Sequence, residues 1–257
     1  MEQTINEFLT TGVFAFILTF VRIGTAAAIM PGIGDSFVSP RIRIYIALAL
    51  ALVLTPVVRP YLPDPIPPLL TLAALIGMEF IVGLFIGTMA RVFMAAVDTA
   101  GMIISMQSGL GNAQLFNPAF SSQGSLIGAL LSITAVVLLF ATNLHHLLFF
   151  GIVGSYELFP VGTVPDTGSM AELMAKAVAA SFLIGVQIAS PFLLVGLLMY
   201  IAMGVLTRLM PQVQVFLLAL PMQILVSLIL LAITVSAGLL FWISEFEDSM
   251  MFFLSGG

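Results

Sequence analysis

The chain contains no cysteine, which excludes disulfide bonds, thiolate metal sites and cysteine nucleophiles together. Charged residues are scarce as well, because they make up 7% of the 257 residues against about 25% in a typical soluble domain. Hydrophobic residues make up 61% of the chain and the mean hydropathy is +1.21. A chain this apolar cannot cover a water-facing surface, so we expect an integral membrane protein.

The residues that nucleic-acid binding, metal binding or catalysis would need are few, and their spacing does not suit any of these functions. The seven basic residues are scattered, so nucleic-acid binding has no support. His145 and His146 are adjacent, and neighbours on a helix point to different sides and do not converge on one ion. No serine lies in a G-x-S-x-G frame with a strand–helix context. We expect no metal, no cofactor and no enzymatic activity.

Long apolar segments fill most of the chain. A membrane-spanning helix needs roughly 20 mostly apolar residues, and the pattern predicts an all-α polytopic membrane protein with about six long hydrophobic helices. The third candidate is long enough to form two helices. The linker Arg59–Pro68 is so rich in proline that neither a helix nor a central strand is expected there. The candidate helices are Phe8–Met30, Ile44–Val58, Leu69–Met106, Ser125–Phe150, Leu173–Leu206 and Val215–Ile243.

Basic residues in short loops set the orientation of such a protein. With six spans, four arginines fall on one side of the membrane, which should be the cytoplasm, and two basic residues fall on the other. Both termini would then lie outside the cytoplasm. The four are Arg41, Arg43, Arg91 and Arg208, and the two are Arg59 and Lys176.

Four charged residues interrupt the apolar segments, namely Arg22, Glu79, Arg91 and Asp98. A charge near the bilayer centre costs several kcal/mol, so each should face protein or water and find a partner. Glu79 and Arg91 are twelve positions apart, more than three turns, and cannot pair within one straight helix. We favour a structural role, as ion pairs that pack helices or subunits or as residues at helix ends near the headgroups. The alternative is a path for protons or ions.

An uncharged polar island runs from Gln107 to Gln123, with the sequence QSGLGNAQLFNPAFSSQ. It holds amides, glycines, a proline and serines between long apolar segments. Irregular backbone at membrane depth is tolerated only where it is buried in protein or lines a wet cavity. The island is therefore the first candidate for a functional segment, and the methionines beside it, Met102 and Met106, are candidates for a deformable seal.

Two further segments suggest helix or subunit packing. Gly83 and Gly87 form a G-x-x-x-G motif in an apolar helix, which allows close approach of another helix. The hairpin before Val215 contains Arg208, Pro211 and Gln212, and is either a plain cytoplasmic turn or a docking surface for another subunit.

Taken together, five segments resemble the FliR family of flagellar biosynthesis proteins, which belong to the type III export gate. The resemblance covers essentially the whole chain, in order. The injectisome export-apparatus homologue shares the family, and the NLHH and PQVQVF segments favour the flagellar member. The segments are Arg22–Arg43 (RIGTAAAIMPGIGDSFVSPRIR), Gly101–Pro118 (GMIISMQSGLGNAQLFNP), Asn143–Leu148 (NLHHLL), Phe159–Gly162 (FPVG) and Arg208–Leu220 (RLMPQVQVFLLAL).

This resemblance implies a single membrane domain over residues 1–257 that assembles in the bacterial inner membrane, at the flagellar basal body, with FliP, FliQ and FlhB. Residues 1–172 would be similar in fold to FliP, and residues 173–257 would be a helical hairpin similar to FliQ. The cargo would be unfolded flagellar proteins, and lipid would surround the assembly. The family's gate has a plug after the third apolar segment, and by position it carries over to Met106, Gln107, Gly109, Gly111, Asn112, Leu115, Phe116 and Pro118.

A secondary transporter for a small solute is the alternative from another class. The island would then be the unwound segment that binds substrate near the midplane. That architecture needs inverted repeats, and no matching island occurs in the second half of the sequence. Copurification distinguishes the two, because an export-gate component would emerge in a large stable complex and a transporter alone or as a small symmetric oligomer.

Overall fold

The computed structural model describes residues 2–63, 67–112, 125–210 and 215–255, with side chains described within 11–63, 67–111, 125–210 and 219–251. In those ranges the chain forms seven α-helices and two short 3₁₀ turns, and it contains no strand. The 3₁₀ turns are Arg59–Tyr61 and Leu110–Asn112. The helices are α1 (Glu2–Ile29), α2 (Pro40–Val58), α3 (Leu69–Gln107), α4 (Leu126–Ala141), α5 (Leu144–Leu158), α6 (Thr167–Leu209) and α7 (Val215–Ser255).

Several helices extend beyond the predicted apolar segments. α2 starts at Pro40 instead of Ile44, because proline is tolerated in the first turn of a helix and the Ser39 hydroxyl accepts from the amide of Ile42 at 3.4 Å. α7 continues through the acidic stretch after Ile243 to Ser255. Helical hydrogen bonding therefore extends past the point where the hydrophobic pattern stops.

The third candidate, Leu69–Met106, is confirmed as one helix, because α3 is continuous over 39 residues and is not divided in two. The fourth apolar segment is broken at Asn143, which has a left-handed backbone (φ 61°) that a short polar side chain accepts more readily than most. The linker after Val58 also contains one 3₁₀ turn, where no helix was expected.

Five helices are long and apolar enough to cross a membrane, and the pair broken at Asn143 counts as a sixth if it is one span. The chain is therefore an all-α polytopic membrane protein. α3, α6 and α7 have 39, 43 and 41 residues, which correspond to about 58 to 65 Å at 1.5 Å per residue. That is about twice the roughly 30 Å of a hydrocarbon core.

The described chain divides into two compact units. The first comprises Met1–Val92, Phe140–Ala177 and Glu247–Gly257. Its interior includes an apolar cluster in which Phe14 and Leu18 of α1 contact Leu75 of α3, and the side chain of Val161, in the loop before α6, packs against this cluster.

The second unit comprises Phe93–Leu139 and Val178–Phe246. The single tryptophan, Trp242 on α7, is fully buried there. Its indole N–H donates to the backbone carbonyl of Phe93 on α3 at 3.1 Å, and its ring packs against Phe246 with centroids 5.3 Å apart. Because a buried indole N–H requires a partner, this contact fixes α7 against α3.

Within the first unit, the G-x-x-x-G motif of α3 packs directly on α1. A β-carbon at Gly87 would lie 2.7 Å from the carbonyl oxygen of Ala26, and one at Gly83 would overlap the carbonyl oxygen of Arg22. These are backbone atoms, which cannot yield as a flexible side chain can. The two glycines thus allow α1 and α3 to approach closely, and they bring the positions of Arg22 and Glu79 within reach of each other.

We predict that Gly83→Val destabilises the protein by about 1–3 kcal/mol, the usual cost of overpacking. The measurement is a denaturant titration of the detergent-purified chain. Gly12→Val on α1 is the matched control, because a β-carbon at Gly12 meets no atom within 4 Å. Equal stability of the two variants would contradict the close α1–α3 contact.

Candidate functional site

A buried ion pair joins α1 to α3 in the first unit. The guanidinium of Arg22 donates from Nε to Oε2 of Glu79 at 2.6 Å and from Nη2 to Oε1 at 2.8 Å. Both side chains are 1% exposed. This bidentate arrangement matches the planar fork of arginine to a carboxylate. The partner of Glu79 thus comes from another helix of the same chain.

The same arginine also reaches α5. Nη1 donates to the hydroxyl of Ser155 at 3.2 Å, and Nη2 donates to the carbonyl of Phe159 at 3.0 Å. Cζ of Arg22 lies 3.7 Å from the ring centroid of Tyr156, a cation–π geometry. Four hydrogen bonds to the described residues occupy four of the five N–H donors of the guanidinium. Arg22 therefore ties three helices together with its charge fully paired.

A second ionic contact organises the loop between α1 and α2. The carboxylate of Asp35 accepts from the amide of Gly32 at 2.7 Å and pairs with Nη1 of Arg91 on α3. Arg43 on α2 donates from Nη2 to the carbonyl of Asp35 at 2.6 Å. Gly32 has φ +85°, a conformation that glycine adopts at little cost. The loop is thus held by Arg43 of α2 and Arg91 of α3.

Arg91 and Asp98 differ from the expectation of burial, because both are exposed in the described chain. They lie seven residues apart on α3, two turns along one face, and Arg91 is paired there with Asp35. Asp98 accepts a hydrogen bond from the hydroxyl of Ser132 on α4. Their burial by another subunit stays a prediction.

The island begins where α3 ends, in the second unit. The amide of Ser108 donates to the carbonyl of Ile104 at 2.8 Å, and Gly109 follows with φ +77°. A left-handed glycine just past the last turn is a common way for a helix to stop. The 3₁₀ turn Leu110–Asn112 comes next. Met106, on the last turn, is 68% exposed.

Two polar contacts fix this end of α3. Nε2 of Gln223, a buried residue of α7, donates to the backbone carbonyl of Gln107 at 2.5 Å. The side-chain amide of Gln107 lies against Gly196 on α6, where an added β-carbon would be 3.2 Å from its Cδ and would overlap Oε1. The last carbonyls of a helix lack partners within it, and Gln223 supplies one here.

The rest of the expected plug and hairpin lies outside the described residues. This applies to Leu115, Phe116 and Pro118 in the island, to the side chain of Asn112, and to Pro211 and Gln212 in the hairpin. Gly111 is described, and a β-carbon there would meet the backbone of Met106 at 3.5 Å. Arg208 is exposed near the end of α6. The structure thus describes the anchor of the island at α3.

The histidine pair behaves as part of the first turn of α5. The rings of His145 and His146 lie 4.2 Å apart, and His145 also packs 5.0 Å from Phe140. Among the residues that the structure describes, no group of three or more metal-ligating side chains occurs.

Sequence reasoning missed several residues of these contacts, among them Asp35, Tyr156 and Gln223. Asp35 and Tyr156 sit in segments that read as loops. Gln223 had a detectable signal, since it is a lone amide inside an otherwise apolar helix, and a buried polar group needs a hydrogen-bond partner.

Comparison with known proteins gives a consistent result. The model of the family described as bacterial export proteins, family 1, matches residues 13–249. Flagellar biosynthetic protein FliR of Caulobacter vibrioides is 38% identical over 96% of this chain and 99% of its own. The FliR of Bacillus subtilis is 32% identical over 86% of each chain. Yop proteins translocation protein T of Yersinia pestis is 32% identical over 63% of each chain.

We predict that Arg22→Leu or Glu79→Leu alone costs about 3–5 kcal/mol of unfolding free energy, since each leaves an unpaired buried charge. The double variant should lose far less unfolding free energy than the sum of the two single losses. Denaturant titration in detergent measures the three variants as a double-mutant cycle.

The matched control is the exposed pair of Lys176 and Glu172, whose charged atoms lie 2.7 Å apart. Exposed pairs contribute little, so Lys176→Gln with Glu172→Gln should leave stability nearly unchanged. Simple additivity of the Arg22 and Glu79 substitutions would contradict a coupled buried pair.

We also predict that Gln223→Met loosens the start of the island, because the carbonyl of Gln107 loses its donor at a cost of about 1–3 kcal/mol. Hydrogen exchange should then accelerate at the amides of residues 104–110. Gln187→Met on α6, where the side chain is exposed, is the control. Unchanged exchange in Gln223→Met would show that the contact does not hold the segment.

Proposed function

Because this chain belongs to the bacterial export proteins, family 1, we propose that it is an inner-membrane component of the export gate that secretes flagellar proteins during flagellum assembly. The flagellar assignment is supported by the FliR of Caulobacter vibrioides, which aligns with 96% of the chain, against 63% for the Yersinia translocation protein. The location would be the flagellar basal body. This role assigns the chain no catalysis.

One structural observation supports the role of an assembly subunit. Large apolar side chains are exposed along α6 from Val178 to Leu209, which is about 46 Å along a helix. The hydrocarbon core is only about 30 Å thick, and a tilt of about 40° would still leave a projection greater than that. Part of this apolar surface must therefore be covered by protein. A transporter that works alone does not need such a surface.

The proposed covering subunits are FliP, FliQ and FlhB, with unfolded flagellar proteins as the transported cargo. Residues 1–172 would occupy a FliP-like place in the assembly, and residues 173–257 would occupy a FliQ-like place. The exposed charges of α3, Arg91 and Asp98, and the exposed Arg208 of α6 are the candidates for polar contacts with these neighbours.

We further propose that residues 106–118 form the plug of the gate. A wide export path must be closed when empty, because an open one would leak protons and ions. A glycine-rich loop with a few apolar side chains such as Phe116 can close the path and still yield. Amide side chains satisfy backbone groups there without the cost of a buried charge.

The anchor of the island supports this proposal. Gln223 and the contact of Gln107 with Gly196 fix the end of α3, while Gly109 allows the chain to turn sharply there. A plug needs both features, because one end must stay attached to the wall while the remainder changes conformation. Met106, which is exposed at this point, has the flexible side chain of a deformable seal.

We predict that deleting residues 106–118 raises ion leakage across the membrane while export persists at some level. Phe116→Ala should leak less than the deletion but more than the parent, because it removes only the bulky apolar group and keeps the anchor. The measurement is membrane conductance, with secreted flagellin as the readout of export.

Phe120→Ala is the matched control, since it removes the same side chain outside the proposed plug. Unchanged conductance in a deletion strain that still exports flagellin would refute the plug. A deletion strain that neither leaks nor exports would instead show that residues 106–118 are needed for assembly.

A further inference from the structure

An apolar groove opens on the first unit between α1, α2 and α3. Its volume is about 710 Å³, within the roughly 300–1,000 Å³ of typical ligand sites. Small residues from all three helices line it, including Gly24 of α1, Ala47 of α2, and Ala73 and Gly77 of α3. These small residues leave a space between the bulkier apolar side chains of the lining, such as Phe20 and Phe80, that the helices themselves do not fill.

The groove has the length of one leaflet. On α1 it extends from Phe20 to Ile29, and on α3 it extends from Ala73 to Leu84. These stretches measure about 14 to 17 Å along the helix axes, which is half of a hydrocarbon core of roughly 30 Å. An acyl chain of a single leaflet would match this depth.

A cation marks one end of the groove. Arg43 is the charged residue among its lining side chains, and it sits in the first turns of α2 beside the loop to which α1 leads. Nε donates to the carbonyl of Val38 at 3.1 Å and Nη2 donates to that of Asp35 at 2.6 Å. These two bonds aim the guanidinium but leave three of its five donors for another acceptor.

The positive charge at this end is not neutralised locally. In the described part of the chain no carboxylate lies within ion-pair distance of Arg43, and the carboxylate of Asp35 is taken by Arg91. Arg41 is exposed two residues earlier, and the amino end of α2 adds the partial positive charge of the helix dipole. An anionic phosphate would be attracted to this end of the groove.

We propose that the groove binds an anionic phospholipid of the leaflet on the side of the α1–α2 loop. The phosphate pairs with Arg43, and one acyl chain lies between α1, α2 and α3 beside Gly77. The apolar length of the groove and the cation at its end together match a lipid with an anionic headgroup. A transmembrane helix of a partner would not need a cation at the end of a groove that is only half a membrane long.

The test uses the full chain in mild detergent, with phosphatidylglycerol and phosphatidylcholine of identical acyl chains as probes and native mass spectrometry as the readout. We expect phosphatidylglycerol to be retained about fivefold more tightly, the effect of one arginine near an anionic headgroup. Arg43→Gln should abolish this preference. Arg43→Lys should keep it, because the charge remains even though the bonds to the loop change.

Gly77→Leu tests the acyl-chain part separately. A β-carbon at Gly77 meets no atom within 4 Å, so leucine should fill the groove without disturbing the fold and should lower retention of both lipids. Gly12→Leu, equally unobstructed, and Lys176→Gln are the controls and should bind as the parent does. A diazirine placed near the end of the acyl chain should label peptides around Phe20 and Ala73, which lie at the end of the groove far from Arg43.

Three results would overturn the proposal: an unchanged preference in Arg43→Gln, unchanged retention in Gly77→Leu, or labelling elsewhere. Native mass spectrometry of the complex that copurifies with the chain could give a fourth such result. A lipid bound by the isolated chain but absent from that complex would mean that a partner subunit occupies the groove instead.

Discussion

The ion pair between Arg22 and Glu79 is the interaction on which the first unit depends. Each charge alone would be very costly in a low-dielectric interior, and each helix alone would be hard to insert. Paired at 2.6 and 2.8 Å, they require α1 and α3 to stay in one register. The close approach needed for that register is provided by Gly83 and Gly87. Ser155 and Tyr156 then use the remaining capacity of Arg22 to bring in α5.

The second unit is also held together by partners for polar groups, here through hydrogen bonds to backbone carbonyls. Water is scarce in the interior of a membrane protein, so a helix end must find its partners among side chains. Gln223 meets that need at the end of α3, and Trp242 pairs its indole with the carbonyl of Phe93. Both contacts come from α7, which is otherwise largely apolar. Gln223 and Trp242 therefore attach α7 to α3.

Hydrophobic length predicted the helices well, since an apolar stretch of roughly 20 residues has few alternatives in a membrane chain. Its failures have physical reasons. The start of α2 was placed too late because Pro40 reads as a breaker although it can open a helix, and the break at Asn143 depends on one left-handed residue. Arg22 and Glu79 stood out as charges in apolar segments, but their pairing depends on three-dimensional approach. Asp35 and Gln223 escaped notice because their roles are set by distant helices.

The described start of the island is held by neutral contacts, which are weaker than the ion pair between Arg22 and Glu79. A salt bridge holds its elements in one arrangement, because separating two buried charges is too costly to occur often. The described start of the island, from Gln107 to Gly111, uses amide and backbone contacts instead, such as the bond from Gln223 and the turn at Gly109. A neutral hydrogen bond contributes only about 1 kcal/mol net, so such contacts can be exchanged for others. The chain thus places charge pairs where α1, α3 and α5 must stay fixed, and neutral amides where a segment is proposed to open.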